Sequence, residues 1–241
     1  MTGLGLVLVL LVLVAAQGRL LPSDAADTLR KGRVVVDSSF APQLLISHLK
    51  DDMDALDAAG LFHAAGSGGR DIDSGPDPLR RALWCDPVGR PDRSVGNWEA
   101  FFALWERLDM IRCELAAELD QELMEEMELH YVNYPEGGYY KRHLDEVLED
   151  NSAAHRRCIS FICYLTAPDW EEKDGGQLRI FDTTESQEAS ETTTITSSDI
   201  PPLAGTLVLF DSTQVEHEVL PTQRDRRVLI GWFQAPATRH R

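Results

Sequence analysis

The 241-residue sequence predicts an α+β domain whose β part is a double-sheet roll supported by N-terminal helices. Helical periodicities occupy the first half of the chain and short extended runs the second, with no helical pattern between successive strands. At 43% hydrophobic, the chain can bury one sizeable core but not two large ones.

The elements follow in order. Leu4 to Ala16 is an uninterrupted run of Gly, Leu, Val and Ala, followed at once by Gln17, Gly18 and Arg19. As a helix it would span about 20 Å, short of a ~30 Å hydrocarbon core. The run reads as a secretory signal peptide with small residues Val14 and Ala16 before the cleavage point. No Lys or Arg precedes it, so a signal anchor stretched towards Leu21 stays open, without a firm membrane span. This points to the endoplasmic reticulum lumen or secretion, with the cytoplasm as the alternative.

Pro42 to Ala59 predicts a helix, because Leu44, Leu45, Leu49, Met53 and Leu56 recur at helical spacing and Gly60 can stop it. Residues 64–96, rich in Gly, Asp, Pro and Arg, read mostly as loop. Asn97 is a good N-cap for a second helix, on which Trp98, Phe101, Trp105, Leu108, Ile111, Leu115 and Leu119 form one core-facing stripe. Strands follow at 127–134, 139–145, 157–166, 176–181, 205–210, 215–220 and 226–233. Seven short strands argue for a sandwich, barrel or jelly roll. Residues 182–202 are Ser-, Thr- and acid-rich, and read as a long flexible insert. The chain divides into a leader at 1–16, a helical and loop region at 17–125, a roll at 126–233 carrying that insert, and a tail at 234–241.

Forty acidic against 23 basic residues give a formal charge of −17. A surface that negative repels phosphate backbones, which argues against nucleic acid as a direct ligand and tolerates a basic peptide or protein. Four cysteines do not dictate the fold. Cys158 and Cys163, five apart on one strand, lie roughly 16 Å apart, beyond the ~7 Å a disulfide allows. Cys85 and Cys113 stay open, and the chain has no Asn-x-Ser/Thr acceptor.

The chemistry concentrates in Tyr139-Tyr140-Lys141-Arg142-His143-Leu144-Asp145. In a strand, residues two apart share a face, so His143 and Asp145 can both point into a cavity while Leu144 points away. A later-strand histidine would complete a facial triad that leaves coordination positions open, as oxygen activation at non-haem Fe(II) requires. His217 is placed for this, just after the glycine-initiated apolar strand Gly205-Thr206-Leu207-Val208-Leu209-Phe210, and Arg226 heads the next apolar strand.

With these residues the sequence resembles the prolyl 4-hydroxylase branch of the 2-oxoglutarate/Fe(II) dioxygenases, including the hypoxia-factor prolyl hydroxylases and their bacterial relatives. Four blocks between Leu115 and Phe233 carry the resemblance. They are Tyr134-Pro135 with Tyr140 to Asp145; Cys163-Tyr164-Leu165-Thr166 with Trp170; Asp174-Gly175-Gly176-Gln177-Leu178-Arg179; and Gly205 to Phe210 through His217-Glu218-Val219 to Gly231-Trp232-Phe233. The resemblance implies a double-stranded β-helix (jelly roll), with Fe(II), 2-oxoglutarate as co-substrate, O2 and supporting ascorbate. It implies His143, Asp145 and His217 as iron ligands and Arg226 as the grip on the distal carboxylate of 2-oxoglutarate. Tyr164 would assist at that carboxylate, Tyr134 would lie beside metal and co-substrate, and Trp232 would wall the pocket. The implied reaction is hydroxylation of a protein or peptide, most naturally at proline. Hydroxylation of another residue or a small molecule is the alternative within the class, and a catalytically silent jelly-roll binding module the alternative outside it. His130 shares strand parity with Tyr134 and can face the cavity, but has no carboxylate partner in its motif.

Arg226 and Arg227 are neighbours, so in a strand they face opposite sides. Trp232, placed by the resemblance on the inner wall, shares parity with Arg226, Val228 and Ile230. Arg226 is therefore the expected carboxylate ligand unless a bulge intervenes.

Overall fold

The computed structural model describes residues 19–66, 76–85, 93–146, 154–184 and 194–237. In chain order these form α1 (Ala25–Arg30), β1 (Val35–Asp37), α2 (Gln43–Ala58), β2 (His63–Ala65), β3 (Asp77–Trp84) and α3 (Trp98–Leu119). There follow β4 (Met127–Tyr134), β5 (Tyr140–His143), β6 (His155–Tyr164), β7 (Leu178–Thr184), β8 (Thr194–Ile200), β9 (Leu207–Asp211), β10 (Glu216–Val219) and β11 (Arg226–Pro236). The leader at 1–16 lies outside the described residues, among which no helix is long and apolar enough to cross a membrane.

Antiparallel pairing builds a seven-stranded sheet, β1-β9-β6-β11-β4-β3-β2, and a four-stranded sheet, β5-β10-β7-β8. Period-two alternation gives the larger sheet two different faces. Leu129 and Tyr131, Phe161 and Cys163, Leu207 and Leu209, Leu229 and Phe233 join a core with the apolar stripes of α2 and α3. Their neighbours Val132, Ile162, Tyr164, Val208, Phe210 and Val228 instead meet Leu178, Ile180 and Val219 of the smaller sheet. The helices are fixed by their ends and by one buried acid. Asn97 caps α3 by accepting from Ala100 N (3.1 Å), and Asp52 on α2 accepts from Tyr131 Oη (2.9 Å) and Asn97 N (2.5 Å).

The jelly-roll α+β class and the two long helices stand as expected, and the structure corrects three readings. The stretch 64–96 contains β3, which pairs with β4 from Arg81↔Asn133 to Trp84↔His130. Its cavity-lining positions are Arg80, Ala82 and Trp84, so it lacks the apolar alternation that betrays a half-buried strand. The stretch 182–202 contains β8, which pairs with β7 from Leu178↔Ile200 to Thr184↔Thr194, while 185–193 lie outside the described residues. An edge strand exposed on both sides needs no apolar residues, and Thr favours extended backbone. The boundary at 126 separates no structural units, because β1 pairs with β9 and β3 with β4. Likewise β11 runs into the stretch read as a tail from 234, of which 238–241 lie outside the described residues. All four cysteines are free thiols.

Candidate metal centre

The ligand candidates are brought together by pairing of the smaller sheet. β10 pairs with β5 so that His217 lies opposite His143. Their ring centroids are 4.2 Å apart. Asp145 follows the end of β5, and its Oδ1 lies 3.1 Å from His143 Nε2 and 3.8 Å from His217 Nε2. One ligand atom from each of the three residues falls within 4.8 Å of the others. The strand is shorter than expected: it stops at His143, the chain bends at Asp145, and Leu144 lines the cavity instead of pointing away. Alternation fails because the bend is held by Glu146 N donating to Ser212 O (3.0 Å).

The remaining polar atoms of the three side chains are already committed. His143 Nδ1 donates to Lys141 O (2.8 Å) and His217 Nδ1 to Val215 O (3.1 Å), which turns both Nε2 atoms towards Asp145 Oδ1. Ser160 Oγ donates to Asp145 Oδ2 (2.6 Å) and is itself bonded to Ser212 Oγ (2.8 Å), turning Oδ1 towards the imidazoles. Burial alone would raise the Asp145 carboxyl, but His217, His143 and the Ser160 hydroxyl outweigh it and hold it well below the usual carboxylate range. Burial pushes His217 down, towards its neutral, ligating form. Two imidazole nitrogens and one carboxylate oxygen, each side chain oriented by its other polar atom, fit a divalent metal.

The larger sheet supplies the opposite wall. Arg226 is fully buried at 1% exposure, with Nε donating to Gly176 O (2.7 Å) and Nη2 lacking any partner among the described residues. Gly176 sits at φ +68°, and a Cβ there would come 2.9 Å from Arg226 Cδ, so this turn needs glycine twice over. The Arg226 Cζ lies 5.2 Å from the ring centroids of both Tyr134 and Tyr164. Tyr164 Oη is also buried without a partner, and burial, partly offset by Arg226, pushes the phenol up to about 12. Both groups are thus donors lacking an acceptor, each costing about 1–3 kcal/mol if left so. An anion entering the cavity relieves that cost, and a carboxylate matches the guanidinium fork. Arg227 faces the other way and pairs with Asp54 of α2 (2.6 Å). The only register shift between β11 and its partners falls at Phe233/Gln234, beyond Trp232, so the parity argument survives.

Trp232 and Tyr134 line the cavity, whose volume is about 640 Å³. The Trp232 ring lies under the Arg157 guanidinium, 3.7 Å from Cζ, and Arg157 is bound to both carboxylate oxygens of Glu128 at 2.9 and 2.5 Å. His130 also lines the cavity, bonded to Glu128 (3.1 Å) and stacked on Trp84, outside the ligand cluster. Sequence reasoning missed Ser160, Glu128, Arg157 and Arg80. Parity was the available signal for two of them: Ser160 shares a face with Tyr164, and Glu128 with Tyr134.

Two imidazoles and a carboxylate in a jelly roll, facing a buried arginine, define a non-haem metal centre with an anion pocket beside it. Residues 129–234 match the model of the 2OG-Fe(II) oxygenase superfamily, a family whose chemistry uses Fe(II), 2-oxoglutarate and O2. A PKHD-type hydroxylase from Hyphomonas neptunium is 36% identical over 102 residues, 42% of this chain and 39% of that protein, so the match spans well under half of that relative. A prolyl-4-hydroxylase from Pseudomonas putida superimposes with a TM-score of 0.67 at 29% identity, over 88% of this chain and 98% of that one. A prolyl hydroxylase from Trichoplax adhaerens, solved with a hypoxia inducible factor peptide fragment, shares the fold at TM-score 0.64 and 22% identity, over 87% and 86% of the two chains.

Proposed function

We propose that this protein is an Fe(II)- and 2-oxoglutarate-dependent hydroxylase acting on a prolyl residue of a protein or peptide. The observation that carries the reading is the His143-Asp145-His217 cluster facing a buried Arg226 whose Nη2 has no partner among the described residues. His143, Asp145 and His217 would hold the iron, and Arg226 with Tyr164 would bind the distal carboxylate of 2-oxoglutarate. The loaded centre supplies oxygen activation coupled to oxidative decarboxylation of 2-oxoglutarate.

The chain's own residues orient and enclose. Ser160 fixes Asp145, the two backbone carbonyls fix the imidazoles, and Trp232 and Tyr134 wall the cavity against water. At about 640 Å³ the cavity can hold 2-oxoglutarate with one further side chain. The prolyl substrate is supported by the likeness to prolyl hydroxylases, and a basic peptide suits a chain of net charge −17. The Leu4–Ala16 run supports a secretory route. Full-length protein incubated with Fe(II), 2-oxoglutarate and ascorbate should produce succinate, and prolyl peptides should gain one oxygen atom by mass spectrometry. Iron binding and succinate production without any prolyl product would overturn the substrate assignment; absence of succinate under all these conditions would overturn the activity.

A further inference from the structure

The cavity lining reaches outside the family-matched stretch, to Ala65, Arg80, Ala82, Trp84 and Glu128. Arg80 lies on β3, well before residue 129. Its Nε donates to Tyr134 Oη (3.3 Å) and its Nη1 to Gly66 O (3.0 Å), while its Cζ sits 4.8 Å from the Tyr140 ring centroid. A guanidinium carries donors and no acceptor, so the direction of the Arg80–Tyr134 bond is fixed: the phenol oxygen accepts. A phenolic O–H prefers the plane of its ring, which gives it two orientations, and Arg80 closes one of them. The other cation beside the ring is Arg226, 5.2 Å from its centroid, and it too can only donate. No acceptor for the Tyr134 proton exists among the described residues.

We propose that Arg80 is a positioning residue that turns the Tyr134 hydroxyl into an obligate donor towards a carboxylate oxygen of 2-oxoglutarate. This rests on the reading under Proposed function. It makes β3 part of the site, although β3 lies outside the matched domain. Without Arg80 the hydroxyl can rotate, and binding a carboxylate must then fix its orientation.

The test is calorimetric titration of 2-oxoglutarate into full-length protein loaded with Mn(II), which needs no turnover. Arg80→Gln, which offers Tyr134 an acceptor, should weaken binding about ten-fold, the order of one lost bond to a charged acceptor. Tyr134→Phe should do the same, and the double variant should bind no more weakly than Tyr134→Phe alone. Arg80→Lys, again donor-only, should recover part of the loss. If Arg80→Gln does not fold, Arg80→Met takes its place in the same cycle. Unchanged affinity in the single Arg80 variant would overturn the proposal, as would an equal loss with and without the Tyr134 hydroxyl. Failure of the unaltered protein to bind 2-oxoglutarate at all would overturn the functional reading itself.

Discussion

On one side of β11, Leu229 and Phe233 are fully buried against the helices, and Arg227 reaches out to Asp54. On the other side the same strand buries Arg226 with a guanidinium nitrogen unmatched and sets Trp232 beneath Arg157. The first face is satisfied by the protein alone. The second carries donors and charges that the protein does not satisfy, which is a cost to folding and the basis of ligand binding. Stability and function are thus separated by strand parity, and each face should respond to its own kind of substitution.

The largest effect is expected where the cavity face meets the smaller sheet. Asp145→Ala or His217→Ala should abolish turnover and iron stoichiometry, exceeding the ~10–100-fold loss typical of residues that only orient ligands. Melting temperature should stay close to that of the unaltered protein, because the two residues add little to the apolar core; iron retention in both variants would break the comparison. Phe233→Ala on the helix face should do the reverse. It should cost about 3–5 kcal/mol in denaturant unfolding, with 2-oxoglutarate affinity of the folded fraction unchanged.

A smaller effect separates the faces by pH. Burial alone would raise the Glu128 carboxyl, but hydrogen bonds from His130 and Arg157 outweigh it and hold it at about 2. A carboxyl whose folded pKa lies below its unfolded value of ~4.3 contributes stability that is present above that value and lost as pH falls towards the folded one. Glu128→Gln should therefore cost up to about 3 kcal/mol at neutral pH, a difference that closes between pH ~4 and ~2. A gap that persists unchanged to pH ~2 would show that packing, not the ion pair, is responsible. The smallest effect belongs to the exposed edge. Asp199→Ala, which breaks the paired bonds to Arg179 across β7 and β8, should cost no more than about 1 kcal/mol by thermal unfolding.

What the sequence disclosed follows the same division. Strand β4 was legible to its end residues because Met127, Leu129 and Tyr131 alternate as an apolar row on one of its faces. The clustering of His143, Asp145 and His217 and the buried face of Arg226 were legible because the family resemblance supplies their roles and the inner-wall position of Trp232, and strand parity then separates Arg226 from Arg227. β3 was not, since Arg80, Ala82 and Trp84 face a cavity and Arg81 pairs with Asp57, leaving little periodic apolar signal. With β3 unread, Arg80 could not be placed. β8 was missed because a doubly exposed edge strand is compositionally close to a loop. The bend at Asp145 was hidden because it depends on a backbone bond from Glu146 to Ser212, far away in sequence.

The central claim is that parity assigns Arg226 to the ligand and Arg227 to the fold. It is tested most directly by titrating 2-oxoglutarate into Mn(II)-loaded Arg226→Ala and Arg227→Ala proteins. Arg226→Ala should weaken binding by about 2–5 kcal/mol, the cost of leaving one member of a buried charge pair alone. Arg227→Ala should leave affinity unchanged and lower stability by no more than about 1 kcal/mol. Weakened binding in Arg227→Ala with normal affinity in Arg226→Ala would contradict the account.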